Sequence, residues 1–516
     1  MIDGGAGQWD FGYDGSGNLL SSQDPLGNPL QIAYSPQHLP TSITDGNGHV
    51  TTMVYDANGN LLQQTDPLGN VTTYTYNTSG NMLSMTDPLG NAESYTYDTA
   101  GNRLTRTDPL GNTWTWTYDG AGRMKTETDP LNHTTTYSYD LFGRRTMTQD
   151  HLGNQKKYFY DLAGRLLATD DELNRRTQWS YDARGLAVVK TDPAGKITTY
   201  TYNDNRQMTS TTDPLGQTTS YEYDANNRLT KIIKPDGSAT QYSYDGNGRL
   251  ATETDALGRV TSYSYDSAGK LAGTTQANGA LTTYSYDGNG NLTQKIDPLG
   301  RIASYAYDAA NHRTTMTNTG GFVTTYSYDA AGRQVQETDP LGAIRTQSYN
   351  AAGQLVATTD PLGHTTTYAY DVAGKQISTT DPLNRTETTG YDAVNRLVST
   401  TDSAGNTTQY IYDPAGQLTQ ITEATGAITS YTYDVRGLKT SETDALTNVT
   451  TYNYDDAGRM IQSTNPLGQS TSYGFNAAGQ LATITDALGN TTTFNYDAVG
   501  NRTSVTDPRA NQSNNL

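Results

Sequence analysis

The chain has 516 residues and a formal net charge of −19, with 34% apolar residues, no cysteine, 51 glycines and 39 tyrosines against 6 phenylalanines and 4 tryptophans. Length alone would allow three or four ordinary domains, but so little aliphatic material cannot fill several thick cores. The missing cysteine excludes disulfide scaffolds, zinc–thiolate sites and thiol nucleophiles, and no apolar run approaches the ~20 residues of a membrane span.

In chain order, residues 1–12 form a lead-in with neither a basic start nor an apolar stretch, so no signal peptide is read there. From Tyr13 onward one period governs the sequence. Tyr13, Tyr55, Tyr76, Tyr97, Tyr118 and Tyr139 are separated by 21 residues or a multiple of it, and the phase holds to Tyr496. The array 13–508 therefore contains 24 units without insertion or deletion, and the marker is tyrosine in 23 of them and Phe475 in the other. Sixteen further tyrosines stand two residues before a marker, so the repeat places every tyrosine in the protein. The unit ending at Tyr34 is degenerate, with Pro29, Pro36 and Pro40 around it. These prolines suit a first edge that resists pairing with another sheet. Residues 509–516 read as a polar tail and a truncated unit, with Ala510 where a glycine is expected and no strand after it. The chain is accordingly expected to be a piece of a longer protein.

Each unit predicts two short strands and two turns. In the unit that starts at Tyr55, Asn70 to Tyr76 is rich in Thr, Val and Tyr, which favour strands, and Tyr74 and Tyr76 point to one face because side chains alternate. The same holds for Tyr95 and Tyr97. Asn60 to Thr65 is the second run. Between the runs, Asp66-Pro67-Leu68-Gly69 has the signature of a type I turn followed by a left-handed glycine. Asp56-Ala57-Asn58-Gly59 keeps the Asp and Gly spacing without the proline. The glycine after the marker is present in 19 of 24 units, and Asn227, Asn311 and Asn395 replace it in three of the others. Asparagine is among the residues that best tolerate positive φ, so a backbone requirement explains the position better than a ligand does. His38 and Arg206 are the other two exceptions. Aspartates at the two turn starts supply 38 of the 53 acidic groups, so the charge is mostly turn chemistry. No basic stripe is present, and nucleic-acid binding is not expected.

Two strands per unit give about 48 strands in one antiparallel meander. A sheet that long must coil, because each strand twists relative to the last. The expected fold is all-β with essentially no helix: tandem 21-residue hairpins in one long sheet coiled into a spiral or hollow shell. Tyrosines should line one face in ladders, with cross-strand aromatic pairs contributing ~0.2–1 kcal/mol each. A parallel solenoid would need an aliphatic interior that this composition lacks. A propeller of 42-residue blades would show an alternation that is not visible.

The repeated Tyr-Asp-x-x-Gly-Arg/Asn-Leu, as in Tyr244-Asp245-Gly246-Asn247-Gly248-Arg249-Leu250, together with the Asp-Pro-Leu-Gly turn, resembles the RHS (rearrangement hot spot) or YD-repeat family over essentially the whole chain. The resemblance implies a hollow β-shell, as in bacterial polymorphic toxins and insecticidal toxin complexes, where it encloses a C-terminal effector, and in teneurin-like surface proteins, where it serves adhesion. It also implies a secreted or cell-surface bacterial location, with which the lack of cysteine agrees. The family's autocleaving core segment and effector are not found before Leu516, so no catalytic residue carries over.

A search for chemistry finds little. The six histidines show no metal-ligand spacing, and three of them follow the second turn's glycine position, where Asn is common. One carboxylate per loop falls short of calcium's six to eight oxygens, so turn capping is the preferred role of the aspartates. No cofactor or metal is expected. Trp114, Trp116 and Trp179, with Trp9, could stack on sugar rings, although strand packing explains them as well. The leading expectation is a non-enzymatic repeat shell that encapsulates or presents a toxin or effector polypeptide. A cell-surface adhesin or carbohydrate-binding module is the alternative, with cell-surface glycans as partners. A hydrolase has no motif to support it.

Overall fold

The structure is a computed structural model that describes residues 7–508 and the strand Gln512–Asn514. All regular structure among the described residues is β, in forty-nine strands from Asp10–Tyr13 to Gln512–Asn514 that belong to one sheet. Strands follow one another in chain order and pair antiparallel, which excludes a parallel solenoid. The sequence places no strand after the last turn, yet Gln512–Asn514 continues the ladder against Arg502–Thr506. The missing turn glycine does not prevent this, because an edge strand needs only a free neighbouring strand, and Arg502–Thr506 offers one.

One unit shows how the sequence sets the geometry. Val50–Tyr55 pairs with Leu61–Thr65, Thr52 opposite Thr65 and Met53 opposite Gln64. The register then shifts between Val54 and Tyr55, so Tyr55 faces Leu61 and one extra residue bulges beside it. Leu61–Thr65 goes on to pair with Val71–Tyr76 without a shift. Both turns share one design. The Asp56 amide donates to the Asn60 carbonyl at 2.9 Å, and the Gly59 amide donates to the Asp56 carbonyl at 3.1 Å. Gly59 sits at φ 86° and Gly69 at φ 86°. The five non-glycine residues at the first turn's position, His38, Arg206, Asn227, Asn311 and Asn395, all take φ between 61° and 67°. Backbone geometry, not side-chain chemistry, is what this position conserves along the chain. Pro29 and Pro40 begin strands, where a missing amide costs no ladder bond, so the degenerate first unit keeps the common register.

Burial alternates along the strands. In Val71–Tyr76 the even positions, including Tyr74 and Tyr76, are half-buried and the odd ones exposed. The covered face is thin: among the described residues only Tyr95, Trp116, Ala168 and Ala303 are buried hydrophobics. Tyrosines of successive units lie one strand apart, so they do not form the cross-strand aromatic pairs the sequence suggests. Their partners come from the second strand of the unit: Met82 opposite Tyr76, Arg103 opposite Tyr97, Met85 opposite Tyr74, Arg106 opposite Tyr95. With two unlike strands per repeat, like residues can recur only on every second strand.

The chain forms two compact units, one of Met1–His133, Tyr244–Thr252 and Thr261–Glu387, the other of Thr134–Ser243, Glu253–Val260 and Thr388–Leu516. Each unit contains an earlier and a later arc of sheet lying side by side. In the first unit Asn289 meets Asp45, 244 positions away. In the second, Arg175 meets Gln417, 242 positions away. That offset is about eleven and a half repeats, so the two turn classes face each other: the Asp-Pro-Leu-Gly class of the earlier arc meets the Tyr-Asp class of the later one.

Candidate functional site

Three elements recur with the period. The first is the turn cap. Asp56 Oδ1 accepts the amides of Asn58 and Asn60, and Oδ2 accepts the Asn60 side chain at 2.8 Å. These donors, the Asn60 side chain foremost, hold the Asp56 carboxyl below its ordinary value. Asp66 is used identically by Leu68 and Asn70, and Pro67 pre-sets the turn between them. Histidines follow the same rule: Nδ1 of His133 and of His364 pairs with the carboxylate four residues earlier. They occupy the slot of asparagine or arginine and act as turn partners.

The second element is an arginine staple between units. Arg333 Nε donates to Asp329 Oδ2 of its own turn at 2.8 Å, its guanidinium lies 4.8 Å from the Tyr349 ring, and Nη1 donates to the Asn350 carbonyl at 3.2 Å. Arg165 makes the same three contacts with Asp161, Tyr181 and Asp182. One side chain thus ties a cap, the next marker ring and the next turn. The third element is the marker hydroxyl, which reaches a backbone carbonyl fifteen residues earlier, as Tyr286 does to Leu271 at 3.0 Å and Tyr370 to Leu355 at 2.8 Å.

The seam between the arcs of each unit is built from turn tips. In the first unit Asn47 Nδ2 donates to Asp287 Oδ2 at 3.1 Å, the Gly288 amide donates to Asn47 Oδ1 at 2.9 Å, and Asn289 Nδ2 donates to Asp45 Oδ2 at 2.6 Å. The backbones of Gly46 and Gly288 touch, so that a Cβ on either would collide with the other's carbonyl. In the second unit Lys196 pairs with Asp456 at 2.6 Å and Arg175 Nη1 donates to Gln417 Oε1 at 2.5 Å.

One of the tryptophans singled out from the sequence, Trp114, lies near the first unit's seam. Trp114 lines a cleft of about 310 Å³ there, with Glu93 and Arg106 on its own arc and Arg333 and Gln354 on the other. Arg106 sits 5.0 Å over the Trp114 ring, and Arg103 sits 4.5 Å over Trp116, which is 7% exposed. One ring face of each is therefore occupied by a guanidinium. Trp179 is half-buried in its strand, opposite Lys190. Glu93 pairs with Arg106 and accepts the Tyr95 hydroxyl at 2.5 Å. Arg106 holds the Glu93 carboxyl low, while burial first and Glu93 second push Tyr95 up to about 12. Within the cleft, Glu93 is thus paired with Arg106 and bonded to Tyr95. Among the described residues no three His, Asp or Glu side chains converge as metal ligands would. The structure thus brings Trp114 and Tyr95 into one neighbourhood, while Asp56, Gly59, Asp66, Pro67 and Gly69 serve the turns and Tyr74, Tyr76 and Tyr97 the covered face. Sequence reasoning missed the seam residues Asn47, Gly288 and Asn289.

The RHS repeat model matches residues 13–50, 34–63, 55–92, 97–132, 181–218, 349–386, 391–428, 412–449, 433–471, 454–491 and 475–512, more than half of the chain. The chain belongs to the RHS repeat family. The Teneurin YD-shell model matches residues 216–346 of this RHS chain. Among solved structures it is similar to TcdB2-TccC3-TEV, with 14% identity and a TM-score of 0.63 over 98% of this chain and 38% of that one. It is also similar to a chain of the Photorhabdus luminescens Tc holotoxin pore, with 16% identity and a TM-score of 0.61 over 94% of this chain and 36% of that one. A third is TcdB2-TccC3 without its hypervariable C-terminal region, with 14% identity and a TM-score of 0.57 over 99% and 34%. At such identities the likeness is one of fold, and the RHS chain spans little more than a third of these structures. No curated protein matches the chain.

Proposed function

We propose that this RHS chain is a structural, non-enzymatic wall that encloses or presents a polypeptide encoded with it, in a bacterial protein that acts outside the producing cell. The observation that carries this reading is the seam: within each unit the sheet returns beside itself, and turn tips lock the two arcs together. An open ribbon of hairpins would present a long free edge on both sides. Locked arcs make a barrier two hairpins tall instead, whose backbone groups are satisfied within the ladder. Its Tyr- and Thr-rich surface offers many weak contacts, which suits a cargo that must be held and later released. The neighbours support the reading: one is described as lacking a hypervariable C-terminal region, a variable part attached to the shared fold.

The test is limited proteolysis of a fusion in which an unstructured, protease-sensitive reporter follows Leu516. Enclosure makes the reporter persist for as long as the repeats remain folded and disappear once mild denaturant opens them. A reporter digested as fast as the free peptide, while the repeat array stays intact, would sink the proposal.

A further inference from the structure

Asparagine followed by glycine occurs five times in the chain, at Asn47, Asn58, Asn247, Asn278 and Asn289. Two of the five, Asn47-Gly48 and Asn289-Gly290, lie on opposite arcs and meet in the first unit's seam. Each directs its side-chain amide at the opposite turn's carboxylate: Asn47 Nδ2 donates to Asp287 Oδ2 at 3.1 Å, and Asn289 Nδ2 donates to Asp45 Oδ2 at 2.6 Å. Asn47 Oδ1 also accepts the Gly288 amide at 2.9 Å, and Asn289 Nδ2 reaches Asn311 Oδ1 at 2.9 Å. Asn58, by contrast, is exposed on a turn of the same form. Gly48, Gly59 and Gly290 have φ of 84°, 86° and 88°. Their amides all donate to the aspartate carbonyl three residues back, at 2.9, 3.1 and 3.0 Å. The three backbones are thus alike, and what distinguishes the pairs is the hold on the asparagine side chain.

Asn-Gly is the pair in which the backbone most readily attacks an asparagine side chain, because glycine has no Cβ to shield its nitrogen. The glycine nitrogen loses its proton and bonds to the asparagine Cγ. The Cγ–Nδ2 bond breaks, and the amide nitrogen leaves as ammonia with that proton. Water then opens the five-membered imide and leaves aspartate or isoaspartate, without oxidant or cofactor. Attack requires the side chain to swing onto its own backbone, and in the seam that motion must first break the bonds to the other arc. We propose that Asn47-Gly48 and Asn289-Gly290 are self-modification sites guarded by the seam, which deamidate only where the arcs part and which, once converted, keep them from closing again. Either product replaces a donor with a carboxylate that faces Asp287 or Asp45, where like charges repel. The seam is then a one-way latch. This goes beyond the wall proposed above and holds whether or not the wall encloses a cargo.

Incubation of the full chain in native buffer and in urea, with peptide mass mapping over time, tests this. Each site's rate in urea is its own reference. Folding should slow Asn47 and Asn289 more than Asn58 by about fivefold or more, the factor that one ordinary hydrogen bond supplies. Opening the seam from the facing arc should abolish the difference, with Gly288→Ala read at Asn47 and Gly46→Ala read at Asn289. Each substitution sets a Cβ against the facing backbone and leaves the sequence of the reporting turn unchanged. Asn47→Asp with Asn289→Asp should expose the turns at 45–48 and 287–290 to protease, whereas Asn58→Asp should leave 56–59 as it was. Equal slowing at all three sites overturns the proposal, and so does a difference that survives both glycine variants. A double aspartate variant as resistant to protease as the wild type overturns the latch.

Discussion

The hydroxyl of Tyr265 donates to the backbone carbonyl of Leu250, on the neighbouring strand, at 2.9 Å. Leu250 holds the position that in the neighbouring units, at Leu229 and Leu271, faces a marker beside a register shift, where a bulge leaves the ladder incomplete. The marker is a tyrosine because its phenol closes that gap, and the 21-residue period repeats the closure from unit to unit.

The exception is informative. Phe475 keeps the ring and the arginine above it, with Arg459 4.7 Å from the ring centre, but cannot donate to the carbonyl of Met460. Phe475→Tyr is expected to stabilise the neighbouring hairpins by about 1 kcal/mol, and Tyr265→Phe to weaken its own by a similar amount. Repeat arrays unfold locally as well as globally, so hydrogen exchange of the flanking strands is the appropriate measurement. Unchanged protection in both variants would rule the closure out as a stabilising element.

Thr447 occupies the left-handed turn position at φ 66°, where the other non-glycine residues among the described ones are Asn132, Asn174 and Asn384. A β-branched residue is strained there, and left-handed geometry costs roughly 1–2 kcal/mol for a residue with a Cβ. Thr447→Gly is expected to raise local stability by about 1 kcal/mol after the added flexibility of the unfolded chain is counted. Thr447→Asn should gain less. A destabilised glycine variant in thermal or urea unfolding would contradict this account of the turn.

The pH response has two limbs with opposite signs. Burial pushes the Asp287 carboxyl up, but bonds from Asn291, Asn47 and Asn289 outweigh it and hold the group below its ordinary 3.8. Asp56 is lowered too, by Asn60 above all. A lowered carboxylate contributes stability that is present above its unfolded pKa and lost as pH falls through the folded one. Stability should therefore be flat at neutral pH and fall below about pH 4 as the caps protonate. Burial raises Tyr286 and Tyr307, and Tyr95 reaches about 12. That contribution is complete below the ordinary tyrosine value of 10.0 and is lost as pH rises toward 12. Melting temperatures followed from acid to alkaline pH should trace both limbs. A maximum near the isoelectric point of about 4.6 would show that net charge governs instead.

Gly46 and Gly288 meet backbone to backbone, and backbone cannot move aside as a flexible side chain would. Gly288→Ala is expected to cost ~1–3 kcal/mol of seam stability and to leave the hairpins intact. Gly15→Ala, on an open turn tip with nothing near its Cβ, is the control and should change little. Protease sensitivity of the turns at 45–48 and 287–290 reads the difference. Equal behaviour of the two variants would mean that the arcs are not held at this contact.

The hairpin was legible in the sequence because it is local. Asp and Gly three residues apart dictate the turn, Tyr and Thr alternation dictates the covered face, and the substitutions Asn227, Asn311 and Asn395 mark the left-handed position without reference to any neighbour. The role of arginine after that position was not legible, because its ring and carbonyl partners belong to the next unit and are set by the bulge that brings it near. The tyrosine pairing is not legible for a related reason: a unit of two unlike strands sets a different residue, such as Leu61, Met82 or Arg103, opposite the marker. The tips of the two arcs also differ in composition. Tyr-Asp tips such as Ala309-Ala310, Ala330-Ala331 and Ala351-Ala352 are paired alanines on the later arc, whereas earlier tips such as Ala57-Asn58 and Thr78-Ser79 are mixed.

The amino-acid sequence by itself determined the period, the hairpin, the turn geometry and the single antiparallel sheet, since each follows from residues within a few positions of one another. Only the tertiary structure decided the return distance of about 242 residues within each unit, and with it the meeting of Asp45 with Asn289. The physical reason is that twist accumulates in small increments from strand to strand. No single repeat encodes the sum, although the sum chooses which turn tips touch.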